Sequence, residues 1–499
     1  MKVLFVVSEV FYSEPLGIMQ LSALLKSKGH QTKLAVLSWD SLLEKVKKFE
    51  PHLIAYSTMS PDAHIFKDQD EMVRKYIAEK NLPIKRIMGG PHPTYFQQVL
   101  KDLDLDAVCI GEGDNAIIKI VAALEADRDL TDIPNVLSRN SSDFKKEIIH
   151  DLDALPFVDR DILYAAAPDY RDVGIRSILT SRGCPYDCTY CFNHVYNETF
   201  RGVGPLLRRR SVSSVIEELK LVIKNYQPVR IIRIADDTFV FKSDKWLAEF
   251  VERYKKEINT PFYCLMRSNT LTDEVAKMLA YAGCKSVGIS LESGSENVRN
   301  NILKRNLSDK LVKESFGVAR KYNLKTFGNS MLGIPGTTLK DDFYTVEFAR
   351  QLKISVPTFG IFSPYPGTEL TNYAVQEGLL DPKNVEFHVY RSKTLLNCYT
   401  EKEKNMMIRL AYLGTFFQFL PEWCQPFLKV MVRLPLTGLY SFLNSFFISY
   451  LLSSRIFPGA HPRKLSMIMK HVWRATTYWM ALKKRNDPDK QPAVVVFGG

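Results

Sequence analysis

Ser181-Arg182-Gly183-Cys184-Pro185-Tyr186-Asp187-Cys188-Thr189-Tyr190-Cys191-Phe192-Asn193 places three of the chain's eight cysteines within eight residues. A C-x3-C-x2-C run offers three thiolates from one short loop, which suits an iron-sulfur cube with one iron left without a protein ligand. A structural zinc ion normally takes four ligands, and no fourth Cys or His stands at finger-like spacing, although His194 is close. A c-type haem needs His directly after C-x-x-C, and Phe192 stands there. The loop therefore predicts a cluster with an open iron.

Working outward, a strand at residues 176–180 runs into this loop, and further strands are expected at 230–235, 262–266, 286–290, 326–331 and 358–362. Helical patterns separate them, the first beginning at Ser214 with Glu217 completing a capping box. Six strand-helix repeats fit a partial (β/α)6 barrel, where functional groups gather at the carboxyl ends of strands. Those ends carry Asp236-Asp237, Arg267, Leu291-Glu292-Ser293-Gly294, Gly333-Ile-Pro335-Gly336-Thr337-Thr338 and Pro364-Tyr-Pro366-Gly367-Thr368. The bland readings are an acidic turn or helix cap for the aspartates and structural ion pairs for Arg267 and Glu292.

Ahead of the loop, short apolar runs at 3–7, 32–37, 53–57, near Ile87 and at 107–110 alternate with helical patterns at 16–29 and 70–80. This alternation implies a parallel sheet covered on both faces, with ligands beyond the carboxyl ends of its strands. Pro15-Leu16-Gly17, Ser57, Gly89-Gly90-Pro91-His92 and Gly111-Glu112-Gly113 lie after such runs, where glycine lets a backbone approach a ligand. Taken singly, each glycine motif is turn punctuation.

Together, in this order, the motifs resemble radical S-adenosylmethionine (SAM) enzymes with a cobalamin-binding domain in front, a family of methyltransferases and anaerobic cyclase-like enzymes. The resemblance implies a doubly wound, Rossmann-like cobalamin-binding domain, a partial (β/α)6 radical SAM barrel and a helical carboxyl-terminal region. It implies a 4Fe-4S cluster on Cys184, Cys188 and Cys191, with SAM chelating the open iron and Tyr190 near its adenine. Asp236 and Asp237 would accept from the SAM amino group, Arg267 would meet its carboxylate, and Glu292 its ribose. Thr337 stands where the family carries glutamate, which leaves that site without its usual polar group. Cobalamin would contact Pro15, Leu16, Gly17, Ser57, Gly89, Gly90, Pro91, His92, Gly111, Glu112 and Gly113. The Asp-x-His-x-x-Gly cobalt-ligand motif is absent, so a histidine-off arrangement is expected, with residues 57–61 facing the lower side of the corrin.

The activity so implied is methylation of an unactivated carbon of a small or lipid-like substrate, with electrons from a donor such as flavodoxin or ferredoxin. Cyclisation or rearrangement without methyl transfer is the alternative. A non-catalytic cobalamin-binding or membrane-associated protein is a second, against which the open iron argues.

At 499 residues the chain predicts several domains, placed at 1–140 (cobalamin), 141–170 (linker), 171–385 (radical SAM core) and 386–499 (helical). The other cysteines, Cys109, Cys264, Cys284, Cys398 and Cys424, are scattered in apolar surroundings and read as buried thiols of a reducing cytosol. The apolar start is interrupted at Glu9 and reads as a first strand, not a signal peptide. A net charge of +12 favours anionic partners, and no nucleic-acid motif accompanies it. The apolar segments 406–420 and 434–452 leave three readings open: a cap on the barrel, an interfacial anchor at the inner membrane face, or a span. Lys429, Arg433, Arg455, Arg463 and Lys464, with Trp473 and Trp479, suit the anchor. The second segment only marginally reaches the roughly 20 apolar residues a span needs.

Overall fold

Strand β1 (Lys2–Val7) is an apolar run whose residues Val3 to Val6 are fully buried, as a central strand covered on both faces requires. The computed structural model describes residues 1–10, 14–385 and 393–460, which fall into two units. The first comprises residues 1–172 and 195–210. Its sheet adds β2 (Gln31–Val36), β3 (Leu53–Ser57), β4 (Lys85–Gly89), β5 (Ala107–Cys109) and β6 (Val136–Ser138), in the order β2-β1-β3-β4-β5-β6. Strands β1 to β5 are parallel, and β6 returns antiparallel beside β5. The order reverses between β1 and β3, the switch point where such sheets bind ligands.

Two expectations differ here. The helix expected from residue 70 runs Ala63–Glu79. Asp70 lies inside it and not at its start, buried against Arg86 (Nη1 to Oδ2 2.5 Å) and the hydroxyl of Tyr56 (2.7 Å to Oδ1). Residues 141–170, expected as a linker, pack into the first unit. Arg160 and Glu14 form a buried pair at 2.7 Å, Tyr164 donates to Glu14 at 3.0 Å, and Ser22 donates to Asp159 at 2.6 Å. A buried ion pair with added hydrogen bonds ties a segment down, because separating it would strand a charge out of water.

The second unit comprises residues 173–194 and, among those described, 211–460. Six parallel strands follow one another in chain order: β7 (Ile175–Ile178), β8 (Ile231–Ile234), β9 (Phe262–Met266), β10 (Cys284–Ile289), β11 (Lys325–Leu332) and β12 (Val356–Ile361). This is the expected partial barrel. Asp244, Thr272 and Ser308 each cap a helix by accepting the third amide of its first turn. The helix expected from Ser214 instead spans Val212–Asn225: Ser211 is the cap, and Ser214 supplies the amide it accepts at 3.1 Å.

Helix Glu401–Phe417 opens on a capping box of Thr400 and Glu403 and lies along β12, where Thr415 Oγ1 donates to the Pro357 carbonyl at 3.2 Å. After helices Gln425–Met431 and Thr437–Leu451 the chain passes beneath the barrel. Ile448, Leu451, Leu452, Ile456 and Ala460 form one core with Ile231, Tyr263, Phe327 and Val356, which lie at or near the amino-terminal ends of their strands. Ser286 Oγ donates to the Ile456 carbonyl at 2.8 Å, Arg455 Nη1 to Ser355 O at 2.8 Å, and Gly174 N to Ala460 O at 2.7 Å. The cap reading therefore describes these residues: they plug the mouth opposite the cysteine loop. No described helix is long and apolar enough to cross a membrane. Arg463, Lys464, Trp473 and Trp479 lie outside the described residues.

Candidate active site

The cysteine loop leaves β7 at the carboxyl end of the barrel. Cys188 is buried, and Cys184 and Cys191 are half-buried. The loop is knit by its own backbone: Cys191 N donates to Cys188 O at 3.0 Å and Asn193 N to Cys191 Sγ at 3.5 Å. The His194 ring bonds the Cys191 carbonyl through Nδ1 at 2.7 Å, which engages it in holding the loop's shape. Burial pushes the Cys191 thiol up to about 12 and raises that of Cys184. Metal must therefore displace protons here, as thiolate ligation always requires. Among the described residues no three His, Cys, Asp or Glu side chains gather as for a single metal ion. A cube places its thiolates on separate irons and does not need that gathering.

Arg267, just beyond β9, points its Nη1 at Cys188 Sγ from 3.4 Å, rests 3.9 Å over the Tyr186 ring, and donates through Nη2 to the Arg305 carbonyl. Arg305 in turn donates through Nη1 to Tyr190 Oη (2.5 Å), sits 3.3 Å from Glu292 Oε1, and donates through Nη2 to Ser290 O (2.9 Å). The Tyr190 hydroxyl donates to Glu292 Oε1 at 3.0 Å. Burial raises the Glu292 carboxyl, and Arg305 and Tyr190 pull it back. Glu292 adopts φ +65°, a left-handed conformation uncommon for a side-chain-bearing residue and found where function constrains the backbone. The structure thus brings Tyr190, Glu292 and Arg267 together around Arg305. Arg305, which binds all three, carries no strand-end signal in the sequence.

The two aspartates part company. Asp236 is buried, accepting from Thr180 N (2.7 Å), Thr180 Oγ1 and Ser181 Oγ (2.8 Å), so it clamps the start of the cysteine loop and is not available to an ammonium as expected. Burial raises its carboxyl to about 6. Asp237 is exposed to solvent yet closely surrounded by protein, as on a cleft wall; dehydration raises its carboxyl and the Asn193 side chain lowers it. Thr337 donates to the Ile334 carbonyl (2.8 Å) and lies 3.1 Å from Tyr399 Oη, a structural use of the position where the resemblance expects glutamate.

Four buried polar atoms at this end of the barrel have no hydrogen-bond partner among the described residues: Arg267 Nε, Arg305 Nε, Ser268 Oγ and Ser330 Oγ. Buried polar groups are nearly always satisfied, so a wall with four orphans fits a polar, charged ligand such as SAM.

In the first unit, the loops after β3, β4 and β5 meet. Thr58 N donates to Gly89 O at 3.0 Å; Thr94 Oγ1 donates to Gly90 O at 2.8 Å and accepts from Gly111 N at 3.0 Å. Gly90 (φ +94°) leaves no room for a side chain, since a Cβ would stand 3.0 Å from Thr58 N and O. At Gly111 (φ +79°) a Cβ would lie 2.3 Å from the Phe200 ring. Thr58 Oγ1 is fully buried with no partner among the described residues, which fits a polar ligand against this lip. Ser57 and Pro91 belong to the same lip, while Pro15, Leu16 and Gly17 start the helix after β1.

Two expected contacts are otherwise engaged. Glu112 accepts from Arg208 (2.7 and 3.0 Å) and from Ile149 N (2.7 Å), and Gly113 precedes helix Asp114–Glu125. His92 is buried with its Nδ1 3.3 Å from Ser60 Oγ, and burial lowers its imidazole to about 4.

The sequence profile of the Radical SAM superfamily matches residues 178–349, and that of the B12 binding domain matches residues 3–121. The chain is 26% identical over 419 residues to an uncharacterized methyltransferase of Pyrococcus horikoshii, covering 81% of this chain and 88% of that one. It is 23% identical over 451 residues to a cytidylyl-2-hydroxyethylphosphonate methyltransferase of Streptomyces wedmorensis, covering 77% and 82%. The structure of the cobalamin-dependent SAM radical enzyme OxsB with aqua-cobalamin and SAM bound superposes with a TM-score of 0.67 at 14% identity, covering 97% of this chain and 79% of that one, and shares its fold. The chain belongs to the radical SAM superfamily. Within it, this is a cobalamin-dependent radical SAM enzyme, whose cofactors are a 4Fe-4S cluster, SAM and cobalamin.

Proposed function

We propose that this enzyme methylates an unactivated carbon of a small-molecule substrate at the carboxyl end of the barrel. The observation that carries the reading is the pairing of a three-thiol loop, backed by a buried arginine, with a B12-binding domain in one chain. The two relatives' names, both methyltransferases, support the outcome. When bound, the cluster with SAM supplies a carbon radical that abstracts hydrogen, and cobalamin supplies the methyl group. The chain's own part is placement and exclusion of water. Cys184, Cys188 and Cys191 hold the cluster as thiolates. Asp237 accepts from the ammonium of SAM, and Arg267 Nε is the donor left for its carboxylate. Glu292, already holding Tyr190 and Arg305, faces the ribose. The lip formed by Ser57, Thr58, Gly89, Gly90 and Gly111 receives cobalamin.

A lipid-like substrate, a flavodoxin- or ferredoxin-type electron donor, a cytoplasmic location and contact with the inner membrane face are further parts of the proposal. Anaerobic reconstitution with iron, sulfide and hydroxocobalamin, then SAM and a reductant, tests it by mass spectrometry of the nucleosides. 5'-Deoxyadenosine together with S-adenosylhomocysteine supports methyl transfer. 5'-Deoxyadenosine alone transfers the case to cyclisation or rearrangement, and neither product sinks the radical reading.

A further inference from the structure

From Trp423 to Asn486 the sequence contains no Asp or Glu and ten Lys or Arg, nearly the whole of the chain's net +12. The described part of this stretch is also where apolar surface is concentrated. Ten of the eighteen exposed large hydrophobic side chains among the described residues lie between Trp423 and Tyr450, and Phe419 and Leu420 adjoin them.

Helix Thr437–Leu451 has no charged residue. Tyr440, Asn444, Ile448 and Leu451 form its buried stripe. The opposite stripe, Leu439, Phe442, Leu443, Phe446 and Tyr450, follows the same three- and four-residue spacing and is exposed, Phe442 by 66% and Phe446 by 75%. Between these stripes runs a line of hydroxyls, Thr437, Ser441, Ser445 and Ser449, so the helix presents a second apolar face to solvent beside a weakly polar edge, as suits a boundary with lipid. Trp423 and Phe427, edge to face at 6.5 Å and both exposed, extend the surface over the preceding turn, and Tyr440 Oη donates to Met431 O at 3.2 Å to join helix to helix. Lys429 and Arg433 are exposed beside it, with no ion pair to them among the described residues.

We propose that this surface docks on an anionic lipid bilayer, with the aromatic and leucine side chains entering the boundary between headgroups and acyl chains and the cations meeting lipid phosphates. It rests on, and specifies, the membrane contact named above. The helix, 15 residues long, lies in the interface and does not cross it. A second copy of this chain is a poor occupant, because a twofold interface would set the same cationic surface against itself.

The test is flotation of the full-length reconstituted enzyme with vesicles of phosphatidylcholine alone or mixed equally with phosphatidylglycerol. The expected result is roughly tenfold more protein floating with the anionic vesicles, falling with added salt as surface electrostatics requires. Phe442→Asp with Phe446→Asp, and separately Lys429→Glu with Arg433→Glu, should each remove most of that binding while 5'-deoxyadenosine formation continues. No binding to anionic vesicles at low salt overturns the proposal, as does equal flotation of the variants. A lipid-independent dimer dissolved by the phenylalanine variant would reassign the surface to self-association. Wild-type protein that floats but forms no 5'-deoxyadenosine would defeat the radical reading and leave this one standing.

Discussion

Arg267 donates to the sulfur of Cys188 at 3.4 Å, and among the described residues it has no carboxylate partner. A buried guanidinium without an anion is costly, and the group that balances it must come with the ligand. A positive charge and an N–H aimed at a ligand sulfur stabilise the more negative, reduced state of a cluster. Arg267→Gln should therefore shift the reduction potential of the reconstituted cluster to more negative values, on the order of 50 mV, where 59 mV is tenfold for one electron. A redox titration followed by electron paramagnetic resonance checks this, and an unchanged potential would sink it.

Asp236 and Asp237 are adjacent and should fail differently. Asp236→Asn replaces the acceptor of three hydrogen bonds in a buried clamp and should destabilise the protein by about 1–3 kcal/mol. Asp237→Asn should leave the denaturation midpoint in place and weaken SAM binding by roughly tenfold, the worth of one charged hydrogen bond. Thermal melts and equilibrium dialysis with SAM separate the two.

Burial lowers the His92 imidazole from 6.5 to about 4. The folded state then binds fewer protons than the unfolded chain between these values. The stability this neutral histidine contributes is complete above pH 6.5 and is lost as pH falls towards 4, with an upper magnitude of about 3 kcal/mol. Urea midpoints measured from pH 7 to 4 should fall less steeply in His92→Asn than in the wild type; parallel slopes would count against the assignment.

Gly111→Ala places a methyl group against Phe200 in a left-handed backbone. Strain and overpacking together should cost about 2–4 kcal/mol and lower cobalamin retention, read from the absorbance of the desalted protein. Phe200→Leu in the same background should recover part of the loss, since it relieves the crowding but not the backbone strain.

Most strands of both sheets were legible because apolar runs and helical periods report burial directly. The cysteine loop was legible because its spacing is chemistry. Asp236 misled, since sequence places a carboxylate at a strand end without saying which neighbour takes its oxygens; here Thr180 and Ser181 do. Arg305 was invisible for the opposite reason. It reaches Tyr190 across 115 positions from a turn between Lys304 and Asn306, both at positive φ, and no local pattern marks such a turn as part of a site. Residues 141–170 looked like a linker because Arg160 and Glu14 are 146 positions apart, and only folding shows them to be partners.

The plug beneath the barrel sets an order in time. Gly174, just ahead of the first barrel strand, is held by Ala460, so the lower mouth stays open until nearly the whole described chain has been made. At about 5–20 residues per second, the cysteines of the loop emerge on the order of 15–60 seconds before the segment that completes their domain. During biosynthesis those thiols face the surrounding solution on an unfinished scaffold. Exposure of the three thiols to oxidation is therefore greatest while the chain is still being made, before the plug closes the scaffold that holds them.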